Sequence, residues 1–581
     1  MKYTDRQVHV PLCSVSTTSS LVNKTGTWKS AQPLFIDRVS PCNEQCPAGE
    51  DITGYMYLVG QGRYEEAWRL IMEENPFPAI MGRVCFHTCE ERCNRTEHDD
   101  AVSIHMVERF IGDYGLANSL RITVPAPERK ERLAIVGAGP AGLTAAYHLR
   151  KMGYGVSIFD SNQKPGGMMR YGIPSYRLPK EVLDGEISRL DEMGVEFKMA
   201  VKVGKDVTWD SLDNEFEAVF MGIGAWEETS LGIEGLNKKR IYNALEFLED
   251  INHGKEPKIG KRIAVIGGGN SAIDCARVSR RLGAEATIVY RRSEAEMPAH
   301  TEEIEMAREE GVRFLFLASP KAIYGEETVA GVKLEKMALG EMDDSGRRRP
   351  VPTGETFDID CDGMITAIGE ATRVGDLPAF TSHRGGVVEA DRMGQTTHLR
   401  FFAGGDIIDI PHTVTHAIGS GKRAAVAIDR FLRGIENDKD SPDQFTWGES
   451  GTINLAWLKG TSLFCRRNPS LEVVDYTDMN PFYFDCLPGV KIKRIPVDER
   501  LKGFQEVAEA FSEEEVISEA RRCFNCGSCT ECGNCCIFCP ENSIKRDPDG
   551  YGYVADMDFC KGCGICVNEC PRGAMTMKLM E

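Results

Sequence analysis

The cysteines of this chain concentrate near its two ends, and their spacing suits metal binding. Near the C-terminus the pattern C-x2-C-x2-C-x3-C-P occurs twice, first as Cys529, Cys532, Cys535, Cys539 and Pro540, then as Cys560, Cys563, Cys566, Cys570 and Pro571. In this pattern three closely spaced thiolates bind one iron–sulfur cube and the fourth binds the other cube. The spacing therefore predicts two [4Fe–4S] clusters, one on Cys529, Cys532, Cys535 and Cys570, the other on Cys560, Cys563, Cys566 and Cys539.

Two zinc knuckles are the alternative for these cysteines. Zinc sites pair C-x2-C units across a longer gap and do not need the terminal C-x3-C-P, so iron–sulfur binding is favoured. Cys523, Cys526 and Cys536 are left over, and we expect them to pack or to support structure.

A glycine-rich motif lies between two apolar runs in residues 132–160, RLAIVGAGPAGLTAAYHLRKMGYGVSIFD. Gly137, Gly139 and Gly142 permit a tight turn and a close approach of a pyrophosphate to a helix N-terminus. Asp160 ends the second apolar run, where an acid binds ribose hydroxyls. This strand–helix–strand context predicts a dinucleotide site of the FAD type.

The same plan recurs in residues 262–292, RIAVIGGGNSAIDCARVSRRLGAEATIVYRR. Gly267, Gly269 and Ala272 take the glycine positions. The second strand ends in Arg291 and Arg292 rather than in an acid, and guanidinium groups suit the 2′-phosphate of NADP. We therefore predict a nicotinamide site that prefers NADPH to NADH; the alternative is that these arginines only solvate the end of a strand.

A third motif, in residues 401–432, places Gly405 and Asp406 between a short apolar strand and a helix. In reductases with two nucleotide folds, this Asp holds the flavin ribityl chain. His412 and His416 are expected to be ordinary packing or surface residues. Between residues 94 and 464 only Cys275 and Cys361 occur, so the flavin is expected to exchange electrons with clusters rather than with a disulfide. Hydride transfer needs positioning, so no catalytic residue is predicted.

The motifs PCNEQCPAG, GRVCFHTCEERC, GAGPAG, GGMMRYGIPSYRLPKEV, GGGNSAIDCAR, YRRSEAEMPA and AGGD span about residues 41 to 432. Together they resemble the small (β) subunit of NADPH-dependent glutamate synthase and its relatives. The resemblance implies FAD, a nicotinamide site and an N-terminal helical domain with iron–sulfur clusters. It also implies that further residues of the matching segments bind cofactors, namely Pro140, Ala141, Gly167, Arg170, Asn270, Ser271 and Thr413.

The N-terminal cysteines depart from this family's C-x2-C-x4-C-x3-C pattern. Counting back from Cys42, the first two positions fall on Leu34 and Asp37. The family's cluster that needs those two cysteines is therefore expected to be lost or altered. By resemblance the other cluster is expected on Cys46, Cys85, Cys89 and Glu108, with Cys93 as a substitute ligand. A helical domain without a cluster is the alternative.

The predicted fold is α/β, with FAD and NAD(P)H domains of the Rossmann type between an α-helical iron–sulfur domain and an α+β ferredoxin-like domain. The predicted boundaries are 1–130 for the helical domain, 131–257 and 364–436 for the FAD domain, 258–363 for the inserted NAD(P)H domain, 437–520 for a linker and 521–581 for the ferredoxin-like domain. A net charge of −19 disfavours nucleic acid as a partner. The chain has no apolar run of 18 residues and no signal-like start, so a cytoplasmic protein without a membrane span is expected.

These features predict an oxidoreductase that moves electrons between NAD(P)H, FAD, clusters and a protein partner, in either direction. The length, the fused ferredoxin and the segment NKTGTWKSAQPLFIDRVSPCNE resemble the iron–sulfur flavoprotein that partners dissimilatory sulfite reductase in sulfur metabolism. A ferredoxin or a 2-oxoacid oxidoreductase is the alternative partner. The glutamate synthase small subunit itself is the alternative function, and a homodimer is one expected assembly.

Overall fold

The computed structural model describes residues 24–124, 129–343, 346–435, 446–447, 452–459, 462, 470–548 and 550–580. The described chain forms two compact units. The larger unit contains Cys42–Lys459 and Leu487–Cys523. The smaller unit contains the described residues among 24–41, 462–486 and 524–580.

The larger unit begins with short helices that carry the N-terminal cysteines. They span Pro41–Gln45, Ile52–Gly60, Tyr64–Glu74, Pro78–Val84, Thr88–Glu91 and Ile104–Ala117. A Cβ on Gly112 would lie 2.1 Å from the backbone nitrogen of Ala79, and one on Gly82 would lie 2.3 Å from that of Arg109. Glycine at both positions therefore lets the helices Pro78–Val84 and Ile104–Ala117 pack backbone to backbone.

The first large sheet has five parallel strands. In spatial order they are Phe401–Ala403, Ala218–Met221, Arg132–Val136, Gly155–Asp160 and Glu196–Met199. The helices Pro140–Lys151 and Val414–Leu432 pack against each other beside it. The central strands are almost wholly apolar and buried, as expected where helices cover a parallel sheet.

The second large sheet is also five-stranded and parallel. Its order is Arg313–Phe316, Glu285–Tyr290, Arg262–Ile266, Gly363–Thr366 and Ile241–Asn243. An antiparallel sheet of Ala318–Tyr324, Gly331–Met342 and Arg348–Asp360 lies in sequence between its strands Arg313–Phe316 and Gly363–Thr366. The helices of this region are Ala244–Asn252, Asn270–Arg281 and Thr301–Glu309.

The remaining elements of the larger unit are short or connect its sheets. Its other helices are Met168–Tyr171, Lys180–Glu192, Trp209–Glu215, Leu455–Leu458, Val497–Arg500 and Glu513–Arg522. Its two-residue strands pair as Glu227–Glu228 with Glu370–Ala371, His383–Arg384 with Val387–Val388, and Thr446–Trp447 with Thr452–Ile453.

The smaller unit is built from two similar halves around the C-terminal cysteines. Two four-residue helices, Asn534–Ile537 and Ile565–Asn568, each follow a glycine in the left-handed region, Gly533 and Gly564. The strand Ile544–Arg546 pairs with Tyr553–Ala555, and the strand Met575–Leu579 pairs with Ala31–Phe35 near the start of the chain.

The boundary of the first predicted domain differs in the structure. Residues 24–41 belong to the smaller unit rather than to a helical domain that extends to 130. The reason is the antiparallel pairing of Leu34 with Thr576 and of its neighbours with the C-terminal strand. Likewise residues 487–520, predicted as part of a linker, and residues 521–523, predicted as the start of the ferredoxin-like domain, belong to the larger unit.

No helix within the described residues is long and apolar enough to cross a membrane.

Candidate functional site

The first glycine motif forms a tight turn between strand Arg132–Val136 and helix Pro140–Lys151. Gly137 has φ 108°, and a Cβ there would lie 2.2 Å from the carbonyl oxygen of Gly222. A Cβ on Gly142 would lie 1.9 Å from the carbonyl oxygen of Gly137. These positions therefore need glycine for packing, whereas Gly139, at the helix start, has backbone free to approach a ligand.

A second loop closes on this turn. Gly167 has φ 52°, and a Cβ there would lie 2.7 Å from the Cα of Gly139. The predicted residue Arg170 follows, but its guanidinium points elsewhere: Nη2 lies 2.5 Å from Asp184 Oδ1 and Nε donates to the carbonyl of Pro165. The structure therefore brings Gly167, and not the guanidinium of Arg170, to the turn.

Asp160 lies at the end of strand Gly155–Asp160, beside the same turn. Its carboxylate accepts hydrogen bonds from the backbone N–H groups of Ala138 and Asn162, both at 2.7 Å. Burial raises the pKa of this carboxyl. The hydrogen bonds hold the carboxylate at the edge where a ribose would bind.

The third motif places a second acid opposite the turn. Gly405 has φ 71° and donates its N–H to Ser420 Oγ at 2.8 Å. No hydrogen bond from a described residue reaches the Asp406 carboxylate, whose pKa is raised by burial despite His412 nearby. Thr413 caps the helix Val414–Leu432 by accepting a hydrogen bond from the His416 N–H at 3.2 Å. Asp406 is thus free to bind a ligand, while the Thr413 hydroxyl serves the helix cap.

One cavity joins these pieces. It has an empty volume of about 1280 Å³, including space open to solvent. Its walls include the predicted residues Gly139, Pro140, Ala141, Asp160, Gly167, Asn270, Ser271, Gly405, Asp406 and Thr413. Val84 and Phe86, on either side of Cys85, line it as well. The cavity is therefore shared by the flavin-type motifs, the second glycine motif and a cysteine-bearing segment.

The second glycine motif opens onto the cavity with its helix start. Gly267 has φ 146°, and a Cβ there would lie 2.1 Å from the carbonyl oxygen of Ala367. Around Gly269 no atom lies within 4 Å of an added Cβ. The Asn270 Oδ1 accepts the His300 N–H at 3.1 Å. Gly267 is thus required by the fold, while Gly269 leaves open space for a ligand.

The two arginines after strand Glu285–Tyr290 differ in environment. Arg292 is buried, and its guanidinium binds Asp343 Oδ2 at 2.5 Å and the carbonyl of Arg348 at 2.8 Å. Arg291 is exposed. Of the two predicted arginines, only Arg291 therefore presents its charge to solvent.

A buried polar contact ties the two large sheets together. Asp274, on helix Asn270–Arg281, accepts hydrogen bonds from Tyr176 Oη at 2.9 Å and from Arg177 Nη1 at 2.8 Å. Arg177 also pairs with Glu303 at 3.0 Å. Arg177 and Asp274 both line the cavity, so this contact forms part of the wall between the two nucleotide-type motifs.

The N-terminal cysteines lie together next to the cavity, with Cys42 and Cys46 buried and Cys85 and Cys89 half-buried. Burial raises the pKa of the thiols of Cys46 and Cys89 well above the usual value and that of Cys85 to about 12, and electrostatic interactions link Cys85 with Cys46 and with Cys89. Cys42 lies near Cys89 as well. Cys93, by contrast, interacts mainly with backbone N–H groups of Val102 and Arg95.

The predicted ligand Glu108 shares its site with a carboxylate that sequence reasoning missed. Asn75 Nδ2 donates to Glu108 Oε1 at 3.0 Å and to Glu50 Oε1 at 2.8 Å. Burial raises the pKa of Glu50 to about 7 and that of Glu108 well above its usual range. The only signal for Glu50 was its position four residues after Cys46.

An orphaned hydroxyl tests whether this group fits a cluster. Tyr55 is fully buried, and its Oη has no hydrogen-bond partner among the described residues. It lies within electrostatic range of Cys46, Cys89, Glu50 and Glu108. A buried hydroxyl without a partner is costly, and a metal cluster with sulfide and thiolate acceptors would satisfy it. The donor set and this hydroxyl therefore fit an iron–sulfur cluster.

Cys85 also contacts the helix that borders the cavity. Its Sγ lies 3.3 Å from Thr415 Oγ1, on the first turn of helix Val414–Leu432. The same sulfur accepts the His87 N–H at 3.4 Å. Cys85 is thus the cysteine of this group that lies against the flavin-type cavity.

The C-terminal cysteines group in two crossed sets. Cys535 interacts with Cys529, Cys532 and Cys570, and Cys566 interacts with Cys560, Cys563 and Cys539; Cys535 also interacts with Cys566 across the two sets. A cavity with an empty volume of about 320 Å³ is lined by the second set. A space enclosed by four thiols fits a [4Fe–4S] cube.

Comparisons with known proteins identify the family to which this chain belongs. Residues 131–421, which make up half of the chain, match the model of the pyridine nucleotide-disulphide oxidoreductases. The chain belongs to the pyridine nucleotide-disulphide oxidoreductase family. Residues 27–120 match dihydropyrimidine dehydrogenase domain II with its 4Fe-4S cluster, and residues 528–574 match a 4Fe-4S dicluster domain. This member of the family therefore has an iron–sulfur domain at each end.

Three relatives share most of this organisation. NADP(+)-dependent formate dehydrogenase subunit beta of Moorella thermoacetica is 37% identical over 84% of this chain and 70% of its own length. NADPH-Fe(3+) oxidoreductase subunit beta of Geobacter sulfurreducens is 36% identical over 85% and 76%. The glutamate synthase [NADPH] small chain of Escherichia coli is 35% identical over 67% and 88%.

These matches confirm several predictions. The chain resembles the glutamate synthase small subunit, has the two-nucleotide flavoprotein fold, and is an iron–sulfur flavoprotein oxidoreductase with FAD, NAD(P)H and [4Fe–4S] clusters. The narrower resemblance to the flavoprotein of dissimilatory sulfite reductase is not confirmed.

Proposed function

We propose that the chain is an NADPH:acceptor oxidoreductase that exchanges electrons with a redox protein partner through [4Fe–4S] clusters. The observation that supports it is the shared cavity, which is lined by both glycine motifs and by the two neighbours of Cys85. One space thus adjoins a flavin-type site, a nicotinamide-type site and the nearest cysteine of a cluster-like group.

The proposed roles of the chain's own residues follow from this geometry. When bound, the flavin supplies the conversion between hydride transfer and single-electron steps, and the clusters supply one-electron carriage. Gly139 and Gly167 admit the flavin pyrophosphate, while Asp160 and Asp406 bind its ribose and ribityl hydroxyls. Gly269, Asn270 and Ser271 orient the nicotinamide nucleotide, and Arg291 binds its 2′-phosphate.

The proposed cluster ligands are eleven cysteines and one glutamate. They are Cys46, Cys85, Cys89 and Glu108 in the N-terminal domain, then Cys529, Cys532, Cys535 and Cys570, and finally Cys560, Cys563, Cys566 and Cys539. Glu50 is an alternative to Glu108, because the two carboxylates share Asn75.

The partner is proposed as another subunit of a redox enzyme. The names of the relatives support this, since two are β subunits and the third is a small chain. The candidate partners are dissimilatory sulfite reductase, a ferredoxin, a 2-oxoacid oxidoreductase and a second copy of this chain. Anaerobic affinity purification from the native host, with identification of the proteins that co-purify, would distinguish them.

The electron path is tested by anaerobic reduction of the purified chain. With NADPH as the only reductant, we expect the flavin absorbance to bleach and the EPR signals of reduced clusters to grow. A flavin-depleted sample is the control: dithionite should reduce its clusters, but NADPH should not. Clusters that stay oxidised in the flavin-loaded protein with excess NADPH, yet are reduced by dithionite, would contradict the proposal.

A further inference from the structure

The two halves of the ferredoxin-like unit differ at the residue that follows each cross-over cysteine by four. The first half reads Cys539-Pro-Glu-Asn-Ser543, and the second reads Cys570-Pro-Arg-Gly-Ala574. The first half thus carries a hydroxymethyl group where the second carries a methyl group. Both side chains are buried, Ser543 at 2% and Ala574 at 3% exposure.

Ser543 makes two contacts with the sulfur of Cys539. Its Oγ lies 3.2 Å from Cys539 Sγ, and its N–H donates to the same sulfur at 3.3 Å. A thiolate that ligates iron has no proton to give, so the hydroxyl is the donor in the loaded protein. Ser543 also lines the cavity enclosed by Cys539, Cys560, Cys563 and Cys566.

These contacts distinguish Cys539 from the corresponding cysteine. The backbone N–H groups of Glu541, Ser543 and Ile544 donate to the sulfur of Cys539, and the Ser543 hydroxyl is a further donor. Cys570 accepts hydrogen bonds from the backbone N–H groups of Arg572 and Ala574, and the alanine at position 574 has no hydroxyl to add to them. The hydroxyl therefore adds a negative-charge-stabilising donor at one cluster and not at the other.

We propose that Ser543 is a redox-tuning residue that raises the reduction potential of the cluster bound by Cys560, Cys563, Cys566 and Cys539. Reduction adds one electron to the cluster, so the sulfur atoms become more negative. A hydrogen bond to a ligand sulfur stabilises the reduced form more than the oxidised form, and this moves the potential upward. The inference rests on the proposed ligand assignment and deepens the proposed electron path.

The test is an EPR-monitored redox titration of the full chain, purified anaerobically, with iron and sulfide content measured on each sample. In S543A we expect full iron content and one cluster signal whose midpoint potential moves to a more negative value. In S543T, which keeps a hydroxyl, the midpoint should stay at the wild-type value. In A574S a signal of the other cluster should move to a more positive value.

An S543A protein with full iron content and unchanged midpoints would overturn the inference. If S543A loses iron, the result for A574S decides whether the inference stands. A shift of the midpoint potential to a more positive value in A574S supports the tuning role, and an unchanged midpoint potential at full iron content overturns it. The variant C539S tests the ligand assignment separately from the tuning role of Ser543. Retention of all clusters in C539S would refute the ligand role of Cys539, whereas loss of one cluster there, with no shift in S543A, would refute only the tuning role.

Discussion

The two acidic residues predicted to bind the flavin differ in how their carboxylates are hydrogen-bonded. Asp160 is fixed by two backbone N–H groups, whereas Asp406 accepts no hydrogen bond from the described residues. A half-buried carboxylate without donors is unfavourable until a ligand hydroxyl reaches it. Asp406 is therefore the acid whose loss should affect flavin binding most directly.

Substitution D406A should weaken FAD binding by about tenfold or more, because a hydrogen bond to a charged group is worth about 1.5–3 kcal/mol. FAD retained after desalting, and titration of the apoprotein with FAD, would measure it. The exposed Asp409, three residues further on, offers the matched control, and D409A should bind FAD as the wild type does. Equal FAD affinity in D406A and D409A would contradict the assigned role.

Substitutions of the two arginines after strand Glu285–Tyr290 should have different effects, one on the preference for NADPH and the other on thermal stability. R291A should lower kcat/KM for NADPH by about tenfold and leave that for NADH unchanged, because one charge-assisted contact to the 2′-phosphate is lost. R292A should instead lower Tm, since it leaves Asp343 without its buried partner. Steady-state kinetics with both nucleotides and thermal unfolding check the pair. A preference for NADPH that survives in R291A would refute the site.

At the scale of elements, each nucleotide motif uses glycine for two different reasons. Gly267 is constrained by backbone conformation and by the carbonyl of Ala367, whereas the space around Gly269 is empty. The first motif has the same division between Gly137 and Gly139. A substitution at the second glycine of a motif can therefore leave the turn folded and still prevent nucleotide binding.

This division predicts opposite outcomes for two neighbouring substitutions. G269A should keep the wild-type Tm and weaken NADPH binding by at least about tenfold, because the added methyl group occupies the approach of the pyrophosphate. G267A should lower Tm, because the new Cβ meets the carbonyl of Ala367 at a positive φ. Thermal unfolding and nucleotide titration distinguish them. Normal NADPH affinity in G269A would place the pyrophosphate elsewhere.

Helix Lys180–Glu192 contains a buried acid with a pH-dependent cost. Glu186 is fully buried, with Arg189 Nη1 at 2.5 Å, and burial raises its pKa from 4.5 to about 7. The folded state therefore holds more protons than the unfolded state between these values, so this group destabilises the fold progressively as pH rises through 4.5 to 7. The full cost above pH 7 is at most about 3 kcal/mol.

E186Q removes this titration. The stability of the wild type relative to E186Q should be greatest near pH 5 and should fall as pH rises to 8. Tm values of both proteins across this range would measure the difference. A difference that stays constant with pH would show that Glu186 is ionised throughout.

At the scale of the whole molecule, the proposed ligand sets imply three [4Fe–4S] clusters, or about twelve iron atoms per chain. Adjacent cysteines on helix Asn534–Ile537 provide a matched test. Cys535 groups with Cys529, Cys532 and Cys570, while Cys536 is not among these. Iron content and EPR of C535S should show the loss of about four iron atoms, whereas C536S should keep the full content. Full iron in C535S would refute the ligand assignment.

Much of this protein was predictable from local sequence. The C-x2-C-x2-C-x3-C-P repeats and the glycine motifs depend on residues close along the chain, where spacing alone constrains geometry. The crossed grouping of Cys570 with the first repeat follows from the same rule, and the structure places these thiols together. Family, fold class and cofactors could therefore be predicted from the sequence alone.

Long-range contacts were decided only by the tertiary structure. Strand Ala31–Phe35 pairs with a strand more than 500 residues away, and Asn75 joins Glu50 to Glu108. The guanidinium of Arg292 is satisfied by Asp343, which leaves the exposed Arg291 as the residue proposed for the phosphate. Sequence spacing determines what a segment can bind, but the choice between binding and structural roles depends on which distant groups fold against each side chain.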